Sequence, residues 1–233
     1  MTTASRVVVA GGTGALGRAL VELLLARGDR VAVPFRTPDA FDRLRDGLPA
    51  ADGLWGARAE IATNAGARTF VDAAAAALGG LDAVAVVAGA YAGSGPVGEA
   101  PEDEWPSMMH ANLDTTYAIC RAAVPHLSAG GGSVVTVASR LIEHGGAGAA
   151  AYVVSKAGVA ALTRVLALEN RGRRIRFNCI APATIDTPDN RAAMPSADRS
   201  SWTPPEAVAR IIAFLLSPAS SPVTGAYIPV DGH

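Results

Sequence analysis

Short runs of β-branched and small apolar residues alternate along the chain with longer stretches in which leucine and alanine recur at helical spacing. The first run, Arg6–Ala10, reads as a strand. After a glycine turn, 15–27 reads as a helix with Leu16, Leu20, Leu23 and Leu24 on one face. The same logic gives a strand at Arg30–Phe35, a short helix at Pro38–Asp46, a strand at 54–59 and an alanine-rich helix at 66–78. The run 81–88 is apolar almost throughout, as a strand covered on both faces should be. Long helices are predicted over 103–127 and 149–170, strands at 133–138, 175–180 and 226–230, and a last helix at Pro205–Leu216. Between them, 182–205 carries five prolines and no period, so it reads as a loop with room for one helical turn. Strands alternating with helices predict an α/β fold. The expectation is a single doubly wound, Rossmann-like domain over 1–233. It has a seven-stranded parallel sheet flanked by helices, with its ligand crevice at the carboxyl ends of the strands.

Composition narrows the class. Half of the 233 residues are hydrophobic and 18% are charged, which excludes intrinsic disorder. The net charge of −1 leaves no basic excess to release counterions, so nucleic acid is not an expected partner. Uninterrupted apolar runs fall short of the roughly 20 residues a membrane span needs. The opening Met1–Arg6 passes straight into a strand and a glycine turn, unlike a signal peptide. Cys120 and Cys179 lie far apart, and His110, His126 and His233 show no ligand spacing. Reduced thiols, no metal and a cytoplasmic location are the expectations.

Chemistry enters at the first turn. Gly11, Gly14 and Gly17 satisfy G-x-x-G-x-x-G, and Gly12, Gly14 and Gly17 satisfy G-x-G-x-x-G, between a predicted strand and a predicted helix. Glycine lets backbone approach a diphosphate, and the helix that follows points free N–H groups at the anion. The second strand ends in Pro34-Phe35-Arg36, without the carboxylate that binds ribose hydroxyls. An arginine there accommodates a 2′-phosphate, so NADP(H) is preferred, with NAD(H) possible.

A second constellation follows. Tyr152 and Lys156 stand four apart on a predicted helix and share a face. A phenol needs about 4 kcal/mol of preferential phenolate stabilisation to titrate at neutrality, and a nearby cation in a dry cleft supplies energy of that order. Lys156 is the only lysine among 20 basic residues, which suggests a position that a planar guanidinium does not suit. Ser139 lies just past the fifth strand, where its hydroxyl can donate to a developing oxyanion. Asn112 falls inside a long helix, where an amide is a mediocre former.

Taken together, the glycine turn, Asn112, Ser139, Tyr152-x-x-x-Lys156, the run Asn178–Thr187 and the ending Thr224–Gly232 resemble the short-chain dehydrogenase/reductase family in order and spacing. Gly11–Gly17, Val87–Gly93 and 184–204 further resemble the quinonoid dihydropteridine reductases. The chain departs from the family where Val86-Val87 replace two asparagines and where Ala183 replaces a glycine. The resemblance implies Tyr152 as general acid in reduction, Lys156 lowering its pKa, Ser139 polarising the substrate and Asn112 holding a relay water. It implies cofactor contacts at Gly11, Gly12, Thr13, Gly14, Leu16, Gly17, Arg36, Glu60, Ile61, Ala88, Gly89, Tyr152, Lys156, Pro182, Ile185 and Thr187. A substrate lid is expected around 184–205, with Tyr91, Arg140, His144, Met194 and Trp202 lining the pocket. Paired long helices imply a homotetramer or homodimer. The expected activity is NADPH-dependent reduction of a small carbonyl or imine. The rivals are an NADH-dependent dihydropteridine reductase and a non-catalytic NADP(H)-binding redox sensor.

Overall fold

The computed structural model describes residues 4–127 and 131–232. Met1–Thr3, part of the leader reading, and His233 lie outside the described residues. The chain builds one all-parallel seven-stranded sheet in the order β3-β2-β1-β4-β5-β6-β7. These strands are β1 (Arg6–Ala10), β2 (Arg30–Phe35), β3 (Leu54–Arg58), β4 (Ala83–Val86), β5 (Gly132–Val137), β6 (Ile175–Pro182) and β7 (Tyr227–Val230). Strand order reverses between β1 and β4, the place where a doubly wound sheet opens its crevice.

Helices cover both faces. On one side α1 (Ala15–Ala26), α2 (Pro38–Asp46) and α9 (Pro205–Leu216) pack a core that includes Leu20, Leu24, Val33 and Ile212. On the other side lie α3 (Asn64–Leu78), α4 (Glu104–Met108), α5 (Thr115–Leu127) and α7 (Ala150–Glu169). The core there includes Phe70, Leu78, Ile119 and Phe177. Two short helices, α6 (Leu141–His144) and α8 (Pro188–Ala193), follow β5 and β6 at the sheet's carboxyl edge.

The structure departs from expectation at several points. β4 ends at Val86 rather than 88, because the Val87 and Ala88 N–H groups both turn to the Ala10 carbonyl at 2.9 Å and the chain leaves the sheet. The helix predicted over 103–127 is broken by a π-helical segment, Met109–Asp114, between α4 and α5. Its displaced carbonyls are answered by hydroxyls: Thr115 Oγ1 donates to the His110 carbonyl at 3.0 Å and Thr116 Oγ1 to the Asn112 carbonyl at 2.7 Å. Between the strand expected at 133–138 and the helix expected at 149–170, where no element was expected, a short helix, α6, ends at His144. Finally, although no uninterrupted apolar run reaches spanning length, the 20-residue α7 does so by length and composition, with a mean hydropathy of 1.4. Its alanines and valines raise the mean across Ser155 and Lys156, both of which are buried in the protein.

Candidate active site

At the crevice, three of the four glycines in the first turn are required by packing alone. A Cβ on Gly11, whose φ is +92°, would lie 2.5 Å from the Ala88 nitrogen. On Gly12 it would lie 2.7 Å from Val33, and on Gly17 it would lie 2.0 Å from the Gly11 carbonyl oxygen. Gly14 differs. It is exposed at the N-cap of α1, no side chain caps the helix, and its nearest neighbour to an added Cβ is Gly11 O at 3.5 Å. The protein leaves this face of the turn open, and the first-turn N–H groups of α1 point into it, the requirement for a bound diphosphate. Thr13 is half-buried in the same turn and Leu16 is buried behind it. Arg36 stands exposed just past β2 and takes part in no ion pair among the described residues. Glu60 and Ile61 follow β3 at the same edge, where the Glu60 carboxylate accepts from the Ala62 N–H at 3.3 Å.

Across β4 and β5 the second constellation converges. Tyr152 and Lys156 lie on α7, with the Lys156 Nζ 6.0 Å from the Tyr152 ring centre. The ammonium donates to the Val137 carbonyl at 3.0 Å, at the end of β5. Burial pushes Lys156 down to about 8. Burial also holds the Tyr152 phenol above its ordinary value, against a smaller downward pull from its hydrogen bond with Ser139. The direction is opposite to the lowering expected from Lys156, because burial outweighs the hydrogen bond from Ser139. The Lys156 ammonium keeps its charge while donating to that carbonyl, and the phenol beside it sits half-buried. Ser139 itself is buried, and its Oγ accepts from the Leu141 N–H at 3.3 Å.

Asn112 is fully buried in the π-helical segment. Its Oδ1 accepts from Ala90 N–H at 3.0 Å. Its Nδ2 donates to the Ala90 carbonyl and to Ser155 Oγ, each at 3.0 Å. Both amide hydrogens are thereby used on protein, and the side chain braces the strand-4 loop rather than presenting a donor to water. Ser155 Oγ in turn donates to the Tyr152 carbonyl at 2.7 Å. A Cβ on Gly89 would lie 2.5 Å from Asn112 Oδ1 and 2.9 Å from Lys156 Nζ, so only glycine fits there.

Of the expected pocket residues, Tyr91 is brought directly to the site. Its exposed ring meets Tyr152 edge-on, with centres 4.9 Å apart. Arg140 is committed elsewhere: its guanidinium pairs with Glu143 and donates to Asp231 at 2.8 Å, so its charge is neutralised within the protein. His144 stands exposed at the end of α6. Met194 is exposed after α8, whereas Trp202 is buried, with the Arg199 guanidinium 5.7 Å from its ring centre. Packing therefore takes up most of the Trp202 surface that the open pocket was expected to use. Pro182 ends β6, and Thr187 caps α8 by accepting from Asn190 N–H at 3.2 Å. Ile185 bridges to Thr203 across the base of the segment. Sequence reasoning assigned nothing to Ser155, Ala90, Val137 or Tyr227. A buried serine inside Tyr-x-x-Ser-Lys was the available signal for the first. The backbone groups carry no signal at all. Among the described residues no group of His, Cys, Asp and Glu is arranged to hold a metal ion.

The profile of the family described as enoyl-(acyl carrier protein) reductase matches residues 11–232. The cis-4-hydroxycyclohexanecarboxylate dehydrogenase of Sinomonas cyclohexanicum is 36% identical over 238 residues, covering 97% of this chain and 94% of its own. The 3-oxoacyl-(acyl-carrier-protein) reductase of Chlamydia pneumoniae is 30% identical, with 97% and 95% covered. Among solved structures, a short-chain type dehydrogenase/reductase from Mycobacterium ulcerans superposes with a TM-score of 0.92 at 28% identity, covering 99% of this chain and 90% of that one.

Proposed function

The chain belongs to the short-chain dehydrogenase/reductase family of oxidoreductases, and from that we propose that it reduces a small carbonyl or imine substrate with NADPH, Tyr152 giving the proton. The observation that carries this reading is the convergence of Tyr152, Ser139 and Lys156 at the carboxyl edge of the sheet, beside a glycine turn left open at Gly14.

The residues fit the coenzyme. Gly14 and the first turn of α1 would hold the diphosphate, and Arg36 would meet a 2′-phosphate. When bound, the dihydronicotinamide supplies a hydride to the substrate carbon. Charge then grows on the substrate oxygen or nitrogen. The Ser139 hydroxyl donates to that atom, and the Tyr152 hydroxyl transfers its proton to it. Burial keeps the phenol protonated beforehand, which suits an acid. The buried Lys156 ammonium then stabilises the phenolate left behind, in surroundings where little water screens it. Asn112 and Ser155 hold the Ala90 loop and the Tyr152 backbone in register while this happens.

The segment 184–205 is read as the substrate lid. Tyr91 and Met194 form its apolar walls, and His144 lies at its rim. The exposed Tyr117 on α5 and the exposed Val154, Val165 and Leu168 on α7 support pairing of these helices with a second copy, giving a homodimer or homotetramer. A monomer by light scattering at micromolar concentration contradicts that. Two free buried thiols suit a cytoplasmic location. The activity is tested by following oxidation of NADPH and NADH with cyclic ketones, 3-oxoacyl thioesters, a cyclic imine and a quinonoid dihydropterin. Turnover of a ketone or imine with NADPH is expected. Turnover of the pterin alone, with NADH, establishes the rival enzyme. Tight coenzyme binding with no turnover of any of them establishes the sensor.

A further inference from the structure

Ser139 is held through its neighbours' backbone on one side. The Ala138 N–H donates to the Ile180 carbonyl at 2.8 Å, and the Arg140 N–H to the Pro182 carbonyl at 3.1 Å, tying the end of β5 to β6. On the other side the Ser139 carbonyl accepts twice, from the Ile142 N–H and from the Tyr227 hydroxyl, each at 3.2 Å. Tyr227 opens β7 and stands in register with Cys179. Its ring packs on the small cluster of Ala138, Val159, Cys179 and Ala181, which aims the hydroxyl at the serine. The Glu143 carboxylate is a second acceptor within hydrogen-bond reach of that hydroxyl, is paired with Arg140, and Arg140 reaches on to Asp231 just past β7. Two residues of the last strand region, Tyr227 and Asp231, thus grip the turn that begins at Ser139. Burial and Glu143 push the Tyr227 phenol up to about 12, so it remains a donor throughout the working range.

We propose that Tyr227 is a positioning residue for Ser139: its hydroxyl, bonded to the serine carbonyl, fixes the orientation in which Ser139 presents its own hydroxyl to the reacting oxygen. The proposal rests on Ser139 acting at that oxygen.

Tyr227→Phe keeps the ring in its packing and removes only the hydroxyl. The expected result is a roughly threefold to tenfold fall in kcat, the range of one neutral hydrogen bond. The fall is uniform across the pH profile, with coenzyme affinity unchanged and the thermal midpoint lower by no more than about 2–4 °C. In a Ser139→Ala enzyme, itself slowed, the same substitution is expected to cost nothing further. An equal fall in both backgrounds, or none in the parent, overturns the positioning role. A thermal midpoint lower by about 2–4 °C with kcat intact assigns the bond to stability alone and overturns it as well. Glu143→Gln leaves the phenol its bond to Ser139 and is expected to retain kcat. A collapse as deep as that of Ser139→Ala would instead place the effect on the Glu143–Arg140 pair and overturn the proposal. If Ser139→Ala turns over like the parent, the catalytic reading of Ser139 has failed and the proposal goes with it.

Discussion

Replacing Gly14 by alanine separates what the glycine turn does for the fold from what it does for the coenzyme. The residue has φ −82° and ψ 170°, which alanine adopts without strain. The added Cβ meets only Gly11 O, at an ordinary contact distance of 3.5 Å. Alanine is a poorer N-cap than glycine by up to about 1 kcal/mol, and the stiffer unfolded chain returns about 0.4–1 kcal/mol. The thermal midpoint should therefore stay within about 3 °C of the parent. Gly17→Ala is the control, since its Cβ would fall 2.0 Å from a backbone carbonyl oxygen and the overlap has nowhere to relax. That variant should unfold early. For the coenzyme the ranking is different. A methyl group on the open face of Gly14 holds the diphosphate away from the N–H groups of the turn. Losing one charge-assisted hydrogen bond, about 1.5–3 kcal/mol, weakens binding roughly 10- to 150-fold. The loss should be equal for NADPH and NADH, because both carry the diphosphate. Fluorescence titration with each coenzyme, beside thermal unfolding of each variant, reads both quantities. A Gly14→Ala protein that binds both coenzymes like the parent would refute the reasoning.

Arg36→Ala should weaken NADPH about tenfold, as an exposed charge-assisted contact to a 2′-phosphate does, and leave NADH unchanged; equal effects on both coenzymes would dismiss the 2′-phosphate contact. Because Lys156 is the only lysine, protein labelled with 13C at lysine Cε gives one resonance, and in the coenzyme-free enzyme it should titrate near 8 rather than above 10. Between pH 8 and about 10.5 the unfolded chain keeps a proton the native state has released. This group's contribution is thus full above that window and lost as pH falls through 8, a swing of about 3 kcal/mol.

Much of the fold could be read because most strands and the longer helices carry their own period. β2, α2 and α9 begin and end where their apolar patterns do. The failures share a cause, in that the deciding contact comes from elsewhere in the chain. β4 stops early because two N–H groups converge on Ala10, and no local pattern encodes that. The long helix breaks at Asn112 because its amide is held by Ala90, 22 residues away in sequence. The site shows the same division. The spacing of Ser139, Tyr152 and Lys156 identifies the group, since helix and strand ends place them mechanically. Their titration does not follow from spacing: burial raises the phenol and lowers the ammonium, and burial is a property of the packed sheet edge. Tyr227 reads as an ordinary strand aromatic until the register of β6 and β7 sets it over the end of β5.

The account depends on Tyr152 as the proton donor. Replacing it by phenylalanine removes the hydroxyl and keeps the ring that Tyr91 packs against. Turnover with the best substrate found should fall by roughly a hundredfold or more, the usual contribution of a positioned general acid, while NADPH binds with nearly the parent affinity. A Tyr152→Phe enzyme that turns over within a few-fold of the parent would contradict it.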